Sequence, residues 1–154
     1  HLDISRLPEA TRAKILPFIV RWATWRAGKF SGDTVMAFYA QVMAMREATV
    51  KATHGFDFVI TPTSPIPAFE AEYCCPDNDP ERALEHIAFT VPYNMSEQPA
   101  ASINWSYSTQ KRTVGLPIGV QVAGRRFDDL GVLQLSRVIE QIRPVQRPWP
   151  VHIG

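Results

Sequence analysis

Hydroxyl, amine and imidazole groups are scattered along this chain and nowhere gathered into a reaction centre. Serines stand at positions 5, 31, 64, 96, 102, 106, 108 and 136, and lysines at 14, 29, 51 and 111. A serine becomes a nucleophile when a neighbouring base takes its proton and backbone N–H groups face the developing oxyanion. Such a loop needs glycines close together, because only a backbone without side chains can approach the charge and take up the dihedrals required. The eight glycines, at 28, 32, 55, 115, 119, 124, 131 and 154, are nowhere adjacent, and Gly-x-Ser-x-Gly is absent. Ser64, between prolines, is the least implausible nucleophile; its plainer role is to satisfy loop backbone.

Other chemistries find less support. The histidines at 1, 54, 86 and 152 have no i, i+4 partner and no acidic neighbour at metal-ligand spacing, so no metal or other cofactor is expected. Asp77, Asp79 and Glu81 read as caps at a turn and helix start, and nothing singles out a two-carboxylate glycosidase pair. Cys74 and Cys75 are adjacent, unsuited to a stapling disulfide, and lack zinc or thioredoxin spacing; they read as free thiols in a reducing cytoplasm. Sixteen basic and fifteen acidic residues leave a net charge of +1, with Lys111-Arg112 and Arg125-Arg126 as isolated pairs, so no nucleic-acid footprint is expected. No apolar run reaches the roughly 20 residues that span a bilayer, and the N-terminus lacks a signal peptide's pattern, so no membrane association is expected.

The elements that would position these groups alternate between helix and strand. Pro8 opens a helix over 9–15, Pro17 interrupts it, and Phe18 to Arg26 forms a second helical piece ending at Gly28. Ser31 or Asp33 caps a longer helix in which Val35, Phe38, Tyr39, Val42 and Met45 or Arg46 repeat at helical spacing and pack one face on a core, with His54-Gly55 closing it. Phe56 to Thr61 reads as a buried strand with a proline-rich exit. Asp79-Pro80 starts a helix running to about Val91, where Pro92 stops it, and 100–104 and 117–123 are two more strands around a polar loop. Asp128 or Asp129 caps a last helix bearing Val132, Leu135, Ile139 and Ile142 on one side and ending near Arg143-Pro144; the tail is extended, pinned by Trp149. This alternation is the pattern of an α/β protein with a layered, mixed β-sheet covered by helices. We divide it into an N-terminal helical segment (1–34), a sheet with covering helices (35–143) and a Pro-rich tail (144–154).

One stretch is more specific than composition. Phe89-Thr-Val-Pro-Tyr-Asn94, then Gln98-Pro-Ala-Ala-Ser-Ile-Asn104, then Gly115-Leu-Pro-Ile-Gly-Val-Gln-Val-Ala-Gly-Arg-Arg126 follow Phe56-Asp-Phe-Val-Ile-Thr-Pro-Thr63. In this order they resemble the C-terminal portion of amidase signature enzymes, from about Val35 onward. The resemblance implies amide hydrolysis by a lysine and two serines set in a Gly/Ser-rich region that this sequence lacks. It therefore implies a C-terminal fragment, inactive alone, whose partner is the missing N-terminal catalytic portion.

Leu84, Ile87 and Val91 fall at i, i+3 and i+7, one stripe of a helix. Periodicity alone makes the stripe plain core; the resemblance makes it a substrate-pocket wall. Asn94, Pro99, Gly115, Pro117 and Gly119 match the family pattern in structural roles, Gly119 within its strand implying close approach by another backbone or a bulge. Where the family often has glycine, this chain has Glu97 or Gln98. Members that use glutamine for tRNA amidation place an aspartate three residues before the threonine, to hold the substrate's ammonium; here that position is Ile87. An apolar or aromatic small-molecule amide is thus the expected substrate. The alternatives are a non-catalytic interaction module, able to self-associate through exposed sheet edges, and part of a glutamyl-tRNA amidotransferase of which this would be a piece of the A-type component.

Overall fold

A computed structural model describes residues 6–15, 17, 19–20, 30–79 and 82–148. The first element, α1 (Glu9–Arg12), is a single turn entered from an extended Pro8. Most of the helical piece expected at 18–26, and the tail beyond Pro148 with Trp149, lie outside the described residues. Helix α2 (Gly32–Thr53) begins at Ser31, whose side chain accepts the Thr34 N–H, and ends at His54. Strand β1 (Phe58–Pro62) follows.

Between β1 and the next strand the chain is mostly turns. Three-residue 3-10 helices occupy Pro76–Asn78 and Glu85–Ile87, and the short helix α3 (Val91–Ser96) follows. Strands β2 (Ala100–Tyr107) and β3 (Pro117–Gly124) form a hairpin, and helix α4 (Asp129–Ile142) closes the fold. The sheet order is β1-β3-β2 with both pairings antiparallel, so the described strands make an antiparallel sheet within the expected α/β layering.

Alternation along the strands assigns the two faces of the sheet. Phe58, Ala101, Ile103 and Val122 turn toward α4, where they pack with Val132, Leu135 and Ile139. Asp128 caps α4 by accepting the Gly131 N–H at 3.1 Å. At Gly124 a Cβ would come within 2.7 Å of Val132, so the glycine lets helix and sheet close together.

Two expectations are corrected. The helix expected from Pro80 to Val91 is instead a chain of three-residue turns, in which Ile87 N–H donates to Leu84 O, Ala88 N–H to Glu85 O and Thr90 N–H to Ile87 O. Pro92 does not stop a helix; it lies in the first turn of α3, where its missing N–H leaves no bond unmade. Asp79 is extended and closes the 3-10 turn at Pro76–Asn78, while Pro80 and Glu81 lie outside the described residues.

The second correction concerns α2. Its periodic apolar residues do not bury a face among the described residues; no α2 side chain is fully buried, and Val35, Phe38, Tyr39 and Met45 are exposed. The helix packs instead against α3.

Candidate functional site

The sheet face opposite α4 carries a polar row. Register places Thr61, Gln121 and Ser102 in one cross-strand row, because Gln121 pairs with Thr61 on one side and Ser102 on the other. Gln121 is 4% exposed, and its Nε2 donates to Thr61 Oγ1 at 3.1 Å and to Phe89 O at 2.8 Å. Just beyond β1, Thr63 Oγ1 and Ser102 Oγ share a hydrogen bond of 2.6 Å. Gly119 lies between them, opposite the point where the β2 register shifts between Asn104 and Ser106. The irregularity thus lies in the neighbouring strand rather than at Gly119 itself, and what approaches the glycine closely is a pair of hydroxyl side chains rather than another backbone.

The turn segment before α3 is tied onto this face at two points. One is the Gln121–Phe89 bond; the other is Ser64, whose Oγ donates to His86 O at 3.1 Å and accepts the Ile66 N–H at 3.4 Å. Ile87 lies in sequence between the two tethered carbonyls. Of the pocket residues implied by the resemblance, Ile87 and Val91 are half-buried and Leu84 is 67% exposed. They do not form a single α-helical stripe. In consecutive three-residue turns, side chains three apart come into line, so the row runs through Leu84, Ile87 and Thr90. Thr90 Oγ1 donates to Ile87 O at 3.1 Å.

This arrangement supplies hydroxyls, an amide and a half-buried isoleucine, the groups of a binding wall. Among the described residues no lysine hydrogen-bonds a serine, and Ser64 is occupied with loop backbone. A general base beside a hydroxyl is absent from this set, so these residues can orient a ligand but not activate a nucleophile. Among the described residues no group of three or more His, Cys, Asp or Glu could hold a metal ion, and no helix is long and apolar enough to cross a membrane.

Sequence spacing does not single out Thr61, Thr63, Ser102 and Gln121 as a group. The signal that could have found them is alternation read jointly across strands: polar residues at 61, 63, 102 and 121 interrupt otherwise apolar runs. Also unforeseen is the carboxylate of Glu97, which binds Arg46 and Arg126 from two different elements.

Comparison with known proteins agrees with this architecture. The family model described as Amidase matches residues 2–133. The A-type component of glutamyl-tRNA(Gln) amidotransferase from Thermodesulfovibrio yellowstonii is 36% identical over 101 residues, 66% of this chain and 20% of that protein. The protein of the same name from Pseudothermotoga lettingae is 39% identical over 89 residues, 58% of this chain and 17% of its own length. This chain thus spans about a fifth of the length of these curated relatives. Among solved structures, a 6-aminohexanoate cyclic dimer hydrolase complexed with substrate superposes with a TM-score of 0.64 at 26% identity, covering 86% of this chain and 29% of the hydrolase. A bacterial aryl acylamidase of the amidase signature family shares the fold with a TM-score of 0.58 at 21% identity, covering 87% of this chain and 30% of the acylamidase.

Proposed function

This chain belongs to the amidase family, and we propose that it is the C-terminal portion of an amidase hydrolysing the C–N bond of carboxylic amides. In this reading the serine pair and lysine lie outside these 154 residues, on the missing N-terminal catalytic portion. The chain contributes sheet, covering helices and one wall of the pocket, with Leu84, Ile87 and Val91 as its apolar lining. The observation that supports the proposal is the polar wall itself: Gln121 of the cross-strand row and Ser64 just beyond β1 tether the Ile87 segment, yet no serine among the described residues is paired with a lysine.

Ile87 selects the substrate class. A half-buried isoleucine offers nothing to an ammonium group, and enclosing that charge unpaired costs several kcal/mol. The substrate is therefore an apolar or aromatic small-molecule amide. The second reading, part of the A-type component of an amidotransferase, is favoured by the names of the curated relatives and disfavoured by Ile87. The free thiols Cys74 and Cys75 suit a cytoplasmic protein. As a separate piece the chain would expose the outer edges of β1 and β2, which favours association with the catalytic portion or with a second copy.

The test is turnover of aryl and aliphatic amides by the isolated chain beside a full-length relative. The relative is expected to release product and the isolated chain none. Sustained turnover by the chain alone would place the nucleophile within it and overturn the proposal. In the full-length protein, an apolar anilide is expected to outcompete glutamine, and Ile87→Asp to narrow that preference.

A further inference from the structure

Away from the polar row, the C-terminal half of α2 and the β3–α4 turn border an open cleft of about 600 Å³. Its polar lining is Arg46, Glu47, Lys51, His54 and Arg126, three fixed cations and an imidazole against one carboxylate. The side chains of Lys51 and His54 have no hydrogen bond or ion pair among the described residues. Arg126 Nε is buried and likewise without an acceptor among them.

One further carboxylate faces the two arginines. Arg46 donates to Glu97 through Nη1 at 3.1 Å and Nη2 at 2.9 Å, and Arg126 Nη2 contacts the same Oε2. Glu97 does this from a left-handed backbone, φ 58°, at the C-cap of α3. That position favours glycine, because a Cβ there crowds the carbonyl. Strain held at a non-glycine residue whose side chain reaches two arginines points to a role for that side chain.

We propose that the cleft binds a small oligophosphate, which displaces Glu97 and takes over Arg46 and Arg126 while Lys51 and His54 meet its outer oxygens. Glu97 is then a tethered stand-in that keeps the arginines oriented when the cleft is empty. A free monocarboxylate cannot compete, since Glu97 is held at high effective concentration and offers the same charge. A ligand with more charge and more acceptor oxygens can, because arginine forks bind phosphate in a bidentate way. The carbonyl end of α2 opposes an anion at the His54 rim, so the phosphate groups belong deeper, between the arginines. A cleft of this volume has the size of a small-molecule site, and a net charge of +1 spread along the chain offers no track for a nucleic-acid backbone.

Calorimetric titration of the whole chain with inorganic pyrophosphate tests this, independently of amide turnover. Saturable one-to-one binding is expected, and Glu97→Gln should tighten it by about five- to ten-fold, because the exposed ion pairs it removes are individually weak. In the Glu97→Gln background, Arg46→Gln should weaken binding at least about ten-fold, and Lys51→Gln or His54→Gln about three-fold. Lys51 and His54 are exposed, so these two variants keep the test informative even if Arg46→Gln unfolds the chain. Absence of saturable binding to the Glu97→Gln chain would overturn the proposal. So would binding indifferent to residues 46, 51 and 54, equal affinity for citrate, or tighter binding of a single-stranded RNA at the same phosphate concentration.

Discussion

Thr63 and Gly119 meet where β1 runs out: the Thr63 N–H donates to the Gly119 carbonyl at 3.0 Å, and Thr63 Oγ1 stands 2.6 Å from where a Cβ at 119 would be. The threonine cannot simply turn away, because its hydroxyl is engaged with Ser102. Gly119→Ala is therefore expected to destabilise the chain by about 1–3 kcal/mol, the usual range for overfilling a packed site. Thr63→Ala in the same chain should recover part of that loss. Urea unfolding of the two single variants and the double variant measures the coupling, and strictly additive losses would show that the contact is not the cause.

Gln121 makes the second structural tie of the same face. Its buried amide is the donor for Phe89 O, so Gln121→Leu leaves that carbonyl without this partner and is expected to cost about 1–3 kcal/mol. Gln121→Glu, nearly the same shape, should cost more near neutral pH, because a carboxylate would face a carbonyl oxygen with no proton to share. Chemical denaturation gives the ranking; Gln121→Glu as stable as the parent chain would mean the bond is dispensable.

Much of the fold is legible because its signals are local. Ser31 and Asp128 cap their helices, His54 closes α2, and the three strands lie where apolar runs meet glycine and proline. The segment over 82–91 deceives because the i, i+3 step from Leu84 to Ile87 fits three-residue turns as well as an α-helix, and Pro92 marks a helix start as readily as a stop. The face of α2 deceives for a different reason: periodicity identifies an apolar stripe but not what covers it. The polar row and the Arg46–Glu97–Arg126 cluster join residues dozens of positions apart, a relation fixed by strand register and helix packing rather than by spacing.

The adjacent thiols should differ sharply in reactivity. Cys75 is 1% exposed, and burial pushes its thiol up, helped by the hydrogen bond and charge of Cys74 and then by Asp79 and Asp77. Cys74 is only half-buried. A thiol reagent at neutral pH should therefore modify Cys74 first and Cys75 only on unfolding; equal rates in the folded chain would contradict the buried placement. The pH effect has a definite sign. The folded chain holds the Cys75 proton more tightly than the unfolded chain, so this contribution is intact below the unfolded thiol's range, about 8.5. It is lost as pH rises from there through the raised folded value. Burial raises the Tyr93 phenol in the same direction, so the measurement is the difference between the parent and Cys75→Ala. The difference in urea midpoint should shrink as the pH rises above about 8.5, where the unfolded thiol ionises while the folded one keeps its proton.

At the start of α4, Asp128 and Gly131 depend on each other. Asp128 Oδ1 accepts the Gly131 N–H at 3.1 Å, and the same carboxylate fills the space that a Cβ at 131 would occupy. Asp128→Ala removes the cap and is expected to cost about 1 kcal/mol. Gly131→Ala adds a better helix former, worth up to about 1 kcal/mol in an exposed helix, yet drives the carboxylate from its bond. It should therefore stabilise little or even destabilise when Asp128 is present. Once Asp128 is alanine the obstruction is gone, and Gly131→Ala should stabilise. Because α4 closes the core through Val132 and Ile139, loosening its first turn is felt by the whole sheet, and thermal unfolding of the four chains reads the sign change directly. A Gly131→Ala effect of the same size in both backgrounds would mean that the two residues act independently.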